Sequence, residues 1–308
     1  MLNQNRVIRF DWAIKHILRD KANFDILEGF LSAVLREDVE VIQILESESN
    51  RDSDRLKYNR VDILVKDTKN RYLIIEIQNQ HESDYLYRML FGASKVIIDT
   101  LQIGHSYTDI AKVISISILY FNLGSGNDYV YYGATQFVGL HTKEPLTLRQ
   151  QEKSEKDKIV LRQINIEKEI FPEYYLIQVE RFEDVVNSPL DEWVYMLKNE
   201  EIRDEFNARN IVQARQKLSV LQMDADKKRQ YERYMMDLVI ERDVMETAKR
   251  EARIERIKGL EEGRKEGRME GWKEGRIETA RKMLAKGYDL TEISEVTGLS
   301  LTEIEALQ

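Results

Sequence analysis

Apolar positions in the first part of the chain change period twice. Phe10, Ile14, Ile17 and Leu18, then Phe24, Leu27, Leu31, Val34 and Leu35, recur at three- and four-residue steps, which predicts two amphipathic helices. The stretches 39–45, 60–66 and 71–79 read instead as strands, and "DTKN" between the last two is a run of turn formers, so they predict a meander. Helical spacing returns over 83–102 through Leu86, Leu90, Ala93, Ile97 and Leu101, with Ser83 placed as a cap. Further strands are expected at 113–121, 129–140 and 174–182. Helix, three strands, helix, then more strands is the order of a mixed α/β domain.

From "SPLDEW" onward the pattern is almost wholly helical. Ser188 is placed to cap, Pro189 suits a first helical position, and Asp191 and Glu192 favour the positive helix end. We therefore divide the chain into an α/β domain (1–187), a charged helical region (188–258) and a tail (259–308). The tail opens with Gly259, Gly263, Gly267, Gly271 and Gly275, one at every fourth position. On a helix each step drifts by about 40°, so the glycines form a slowly winding stripe of bare backbone. Each glycine costs about 1 kcal/mol relative to alanine. That cost points to a return from close helix packing, hence a homo-oligomer, or from hinge motion.

The final stretch, 280–308, carries two capping patterns, Asp289 with Glu292 and Ser300 with Glu303. Each has an apolar pair placed to staple the helix entry, Tyr288 with Ile293 and Leu299 with Ile304. Two short helices hinging at Gly298 resemble a helix-turn-helix unit. Glu303 and Glu305 stand where a groove reader would present Arg, Asn or Gln, so protein contact is the expected role. Met235, Met236 and Met245 precede the glycines, so an in-frame internal start could yield a C-terminal fragment that co-assembles with the full chain and restrains it.

Composition narrows the classes. Of 308 residues 42% are hydrophobic and 33% charged, and no apolar run reaches the length of a membrane span. There is no cysteine, which removes disulfides and thiolate metal sites. The first residues lack a secretory pattern, so a cytoplasmic location is expected. A formal net charge of −8 argues against coating nucleic acid through bulk positive charge and leaves only local binding of a polyanion. The four histidines, His16, His81, His105 and His141, show neither metal-ligand nor triad spacing.

The candidate chemistry lies in the meander, where Asp62, Glu76 and Gln78 interrupt apolar strands. Glu76 and Gln78 share one face of their strand, and counting back from the turn brings Asp62 opposite the 75–76 region. Two converging carboxylates repel unless a cation, a shared proton or a basic partner intervenes. One reading is a Mg²⁺ site of Asp62, Glu76, the main-chain carbonyl of Ile77 and waters. The other is a pair of surface salt bridges, Asp62 with Arg60 or Lys66 and Glu76 with Arg71 or Lys57. Spacing alone leaves both open.

These residues resemble the PD-(D/E)XK nuclease superfamily, and within it the Rpn family of recombination-promoting nucleases, also described as transposases. The resemblance rests on Asp62, then "IEIQ" with Glu76 and Gln78, then a helix bearing Arg88. It is supported by "FDWAIKHIL" with Asp11 and Lys15, by "GHSYTDIAKVISISILYF" and "YYLIQVERF", and by the glycine-periodic tail ending "TGLSLTEIEAL". It implies a restriction-endonuclease-like αβββαβ core followed by an all-α C-terminal region. It also implies a Mg²⁺- or Mn²⁺-dependent DNA endonuclease linked to recombination, transposition or defence, with Asp62 and Glu76 as metal ligands. Gln78 falls where the superfamily has lysine; an amide can orient water or phosphate but carries no charge. Lys15, or else Lys57, could supply that charge. Tyr85, Arg88 and Lys95 on the following helix are candidate DNA contacts, with Arg88 alternatively a structural partner of Glu76. The competing class is a non-catalytic nuclease-fold protein that acts by binding DNA or by assembly, under control of its C-terminal helices.

Overall fold

A computed structural model describes residues 6–45, 62–101, 106–153 and 159–307. The chain forms two compact units, 1–228 and 229–308. In the first, helices α1 (Phe10–His16) and α2 (Phe24–Leu35) precede strands β1 (Val41–Leu45), β2 (Ile63–Asp67) and β3 (Tyr72–Gln78). Helix α3 (Tyr85–Thr100) then leads to β4 (Val113–Leu119) and β5 (Val130–Gly133). A ribbon of β6 (Leu148–Lys153) and β7 (Ile159–Ile164), the short α4 (Ile166–Glu169) and β8 (Glu173–Gln178) follow. The main sheet has the order β1-β2-β3-β4-β8-β5. Its β1-β2-β3 meander is antiparallel, while β3, β4 and β8 run parallel, β3 and β4 being joined through α3. This is the expected αβββαβ order.

The β2–β3 turn shows how local sequence sets register. Asp67, 1% exposed, accepts the main-chain N–H groups of Lys69 (3.0 Å) and Arg71 (2.8 Å) and the Nε of Arg71 (2.7 Å). Asn70 takes a left-handed conformation (φ 61°), which asparagine tolerates better than most residues. Arg71 also pairs with Glu37, so it is committed to this end of the sheet and cannot neutralise Glu76. Lys66, the other described cation of the salt-bridge reading, lies over the Tyr72 ring at 5.4 Å. Lys57 and Arg60 lie outside the described residues.

Several expectations are corrected. The strand expected at 129–140 ends at Gly133, and the one at 174–182 ends at Gln178, where a 3-10 turn begins. Helix α3 starts after Asp84 with no side-chain cap, because the preceding turn already positions its first N–H groups: Tyr85 N–H reaches the Glu82 carbonyl and Arg88 N–H that of Asp84. Its buried face is Tyr85, Met89, Gly92, Ala93 and Val96, while Leu86 and Leu90 are exposed. The helix is apolar on both sides, and only the Ile74–Val113 and Leu119–Phe121 clusters decide which side turns inward.

The boundary expected at 187 falls inside the first unit. Helices α5 (Pro189–Asn199) and α6 (Ile211–Lys217) pack on α2. Gly29 of α2 permits this approach: a Cβ there would stand 2.7 Å from Trp193 Cζ2 and would collide with the Arg209 carbonyl. Ser188 does cap α5, accepting the Asp191 N–H, with Pro189 in the first turn.

Helix α7 (Ala225–Ala285) is continuous for 61 residues and includes all five periodic glycines, around which there is open space. In the second unit its end packs with α8 (Leu290–Thr297) and α9 (Leu301–Glu305) around Ala280, Ile293, Leu299 and Ile304. Gly298 closes α8 in the left-handed region (φ 65°). Ser300 and Glu303 form the expected reciprocal box, so Glu303 is a capping residue. At Asp289 the box is incomplete, since its carboxylate bonds the N–H and hydroxyl of Thr291 instead. Tyr288 is half-exposed, so the first staple contributes less than the second. No helix among the described residues is long and apolar enough to cross a membrane.

Candidate functional site

The parallel strands present their carboxyl ends on one side of the sheet, where an open α/β sheet leaves room for ligands. Glu76 and Gln78 sit at that end of β3. In the β2–β3 ladder Ile63 pairs with Ile75, so the next step of the register sets Asp62 against Glu76. Asp62 is anchored there at both ends: its Oδ2 accepts the Ile77 N–H at 2.7 Å, and its carbonyl accepts Arg19 Nη2 at 3.1 Å.

Glu76 is 3% exposed, and among the described residues its buried Oε2 makes no well-aligned hydrogen bond. The Tyr85 hydroxyl, on the buried face of α3, likewise makes no well-aligned hydrogen bond, yet it lies near enough to Glu76 to lower its carboxyl. Burial, with Asp62 and Glu82 as further negative charges, pushes the Glu76 carboxyl up to about 7, although Arg88 and the Tyr85 hydroxyl oppose the shift. Burial also raises Asp62, assisted by Asp11 and opposed by the Ile77 N–H, Lys15 and Arg88. Two carboxyls raised together titrate as a pair, and the protein holds them under electrostatic pressure that a proton or a cation relieves.

The donor set fits a hard divalent cation. Glu76 offers a buried oxygen beside a second carboxylate, and Arg88 lies near enough to lower both carboxyls without cancelling the effect of burial. Among the described residues no group of three or more His, Cys, Asp and Glu side chains forms a metal cluster. A cation here would therefore draw its remaining oxygens from main chain, water or substrate, as Mg²⁺ ordinarily does.

The other sequence-derived candidates fall in different places. Gln78 and Arg88 are brought to the pair, joined through Glu82: Gln78 Nε2 donates to Glu82 Oε1 at 2.7 Å, and Arg88 Nη1 to Oε1 and Oε2 at 3.1 and 3.0 Å. Lys15 is exposed near the end of α1, close enough for its charge to act on Asp62. Ile77 contributes its N–H to Asp62. Tyr85 is 1% exposed and so is not displayed beside Arg88 for a phosphate, and Lys95 pairs with Asp99 at 3.0 Å on its own helix.

Sequence reasoning assigned no role to Glu82, and gave none to the Arg9–Asp11–Asn79 cluster beyond the resemblance of Asp11. Asp11, 3% exposed, is bound by Arg9 at 3.1 Å and by Asn79 Nδ2 at 3.1 Å, while Arg9 also donates to Asn79 and stacks over Tyr120 at 4.6 Å. This ties the start of α1 to the end of β3. A polar residue directly after "IEIQ" was the available signal for Asn79. His81 packs its ring edge-on to Phe121 at 5.2 Å, and His16 stacks on Trp12 at 4.4 Å.

A family model described as PD-(D/E)XK nuclease family transposase matches residues 8–248. A second, described as the C-terminal HTH domain of the Rpn/YhgA-like nuclease family, matches residues 273–308. No curated protein and no solved structure gives a significant match.

Proposed function

Because the chain belongs to the PD-(D/E)XK nuclease family transposases, we propose that it is a metal-dependent DNA endonuclease that hydrolyses phosphodiester bonds. The observation that carries this reading is the buried Glu76 carboxylate set against Asp62 at the carboxyl end of β3, its Oε2 without a well-aligned hydrogen bond among the described residues. Asp62 and Glu76 hold the divalent cation, Mg²⁺ or Mn²⁺, which when bound activates water and offsets charge on the phosphodiester. Gln78 orients water or a phosphate oxygen by hydrogen bonding, and Arg88 binds phosphate. Lys15 supplies mobile positive charge from α1. The C-terminal unit, matched as an HTH domain, brings a second contact to DNA or to a protein partner.

The test is incubation of the full chain with supercoiled plasmid. Nicked product is expected with Mg²⁺ or Mn²⁺ and none with chelator. Absence of product with every divalent metal would overturn the reading and favour a binding protein, the alternative that the uncharged Gln78 supports.

The open glycine stripe of α7 supports assembly of the chain as a homo-oligomer through this helix, and an internal C-terminal fragment would join the same assembly. Light scattering at micromolar concentration is expected to give a mass above that of one chain; a monomer would remove both proposals.

A further inference from the structure

The carboxylate of Glu82 is held by side-chain donors from two different elements. Gln78, the last residue of β3, and Arg88, on the first turn of α3, approach from different elements and converge on it with three hydrogen bonds of 2.7, 3.0 and 3.1 Å. An amide donor and a guanidinium are the donors that a phosphodiester takes through its two non-bridging oxygens, and a carboxylate presents two oxygens and one negative charge in the same way. Glu82 itself lies in the loop between β3 and α3, partly exposed, as is Arg88. The same carboxylate is close enough to raise Glu76.

We infer that Gln78 and Arg88 form the phosphate-binding subsite of the reaction centre and that Glu82 is its resident competitor, an internal stand-in for the phosphodiester that DNA must displace. This rests on the nuclease reading of the Asp62–Glu76 pair. DNA then meets two obstacles at the site, the charge of Glu82 and the donors it holds, and both are removed when the loop residue swings out. Glu82 touches no reacting atom, so it acts on affinity through Gln78 and Arg88.

The experiment is fluorescence anisotropy of a short labelled duplex with the full chain in chelator, where no cleavage occurs. Glu82→Gln keeps the shape and loses the charge, and it is expected to bind about tenfold tighter than wild type. Its salt dependence should steepen by about one phosphate contact. Glu82→Ala is expected to act in the same direction. The gain should disappear when Arg88→Ala is added, because the freed donor is then absent. A purely structural ion pair would give no tightening, with a lowered melting temperature in Glu82→Gln and Arg88→Ala alike. If wild type nicks plasmid with Mg²⁺ while both Glu82 variants bind no tighter and remain folded, the inference fails and the nuclease reading stands. If no form of the protein binds duplex, the nuclease reading fails and takes the inference with it.

Discussion

Glu76→Gln is expected to abolish cleavage and, in the metal-free protein at pH 8, to raise the melting temperature. The two effects share one cause. Glu76 is buried beside Asp62, and its carboxyl is pushed from 4.5 up to about 7, first by desolvation. Between those pH values the folded protein keeps a proton that the unfolded chain has released, so stability is greatest below pH 4.5 as far as this group is concerned. It is lost as pH rises through 7. The gap corresponds to roughly 3 kcal/mol, shared with Asp62 because the two carboxyls titrate together.

Glutamine cannot ionise, and its amide can donate toward Asp62. The variant should therefore melt at nearly the same temperature at pH 5.5 and 8, whereas wild type should melt roughly 5 °C or more lower at pH 8 than at pH 5.5. Thermal melts at both pH values check this; identical wild-type melts would show that Glu76 is not held under strain. The same substitution removes a proposed cation ligand, so cleavage should fall by at least about a thousandfold.

Trp193→Ala is expected to cost the first unit about 3–5 kcal/mol, the usual range for truncating a fully buried large aromatic. Trp193 is 0% exposed, its ring meets Phe30 at 6.0 Å edge-on, and Gly29 of α2 leaves the space its ring fills. Chemical denaturation followed by far-ultraviolet circular dichroism reads the loss. A cost below about 1 kcal/mol would return α5 to a separate region and restore the boundary at 187. For the same reason a fragment ending at residue 187 should not fold, since α2 would expose the surface that α5 and α6 cover.

How far the sequence reached follows from which signals are local. The β2–β3 turn was legible because Asp67 and Asn70 carry turn chemistry in their own side chains, and the placement of Asp62 opposite Glu76 followed from it by counting. The inner face of α3 was not legible. Leu86 and Leu90 compete with Tyr85 and Met89 for burial, and only the strands beneath decide between them. The boundary at 187 was misplaced because a well-capped helix start marks where a helix begins, not where a domain ends. Ser188 and Pro189 perform that local task, while Trp193 belongs to the core of the residues before it. The β6–β7 ribbon was missed because "LRQQEK" carries little apolar alternation. Glu82 escaped because its partners are set by a loop path joining the end of β3 to the first turn of α3, and no periodicity reports such a path.

The proposed function stands or falls with Asp62 and Glu76 acting together as a metal-dependent cleavage centre. The most direct measurement is the nicking rate of supercoiled plasmid at pH 8 in Mg²⁺ for wild type, Asp62→Ala and Glu76→Gln, each shown to be folded by its melting transition. Wild type is expected to nick, and both variants to lose about a thousandfold or more of that rate. Nicking at the wild-type rate by either folded variant would contradict it.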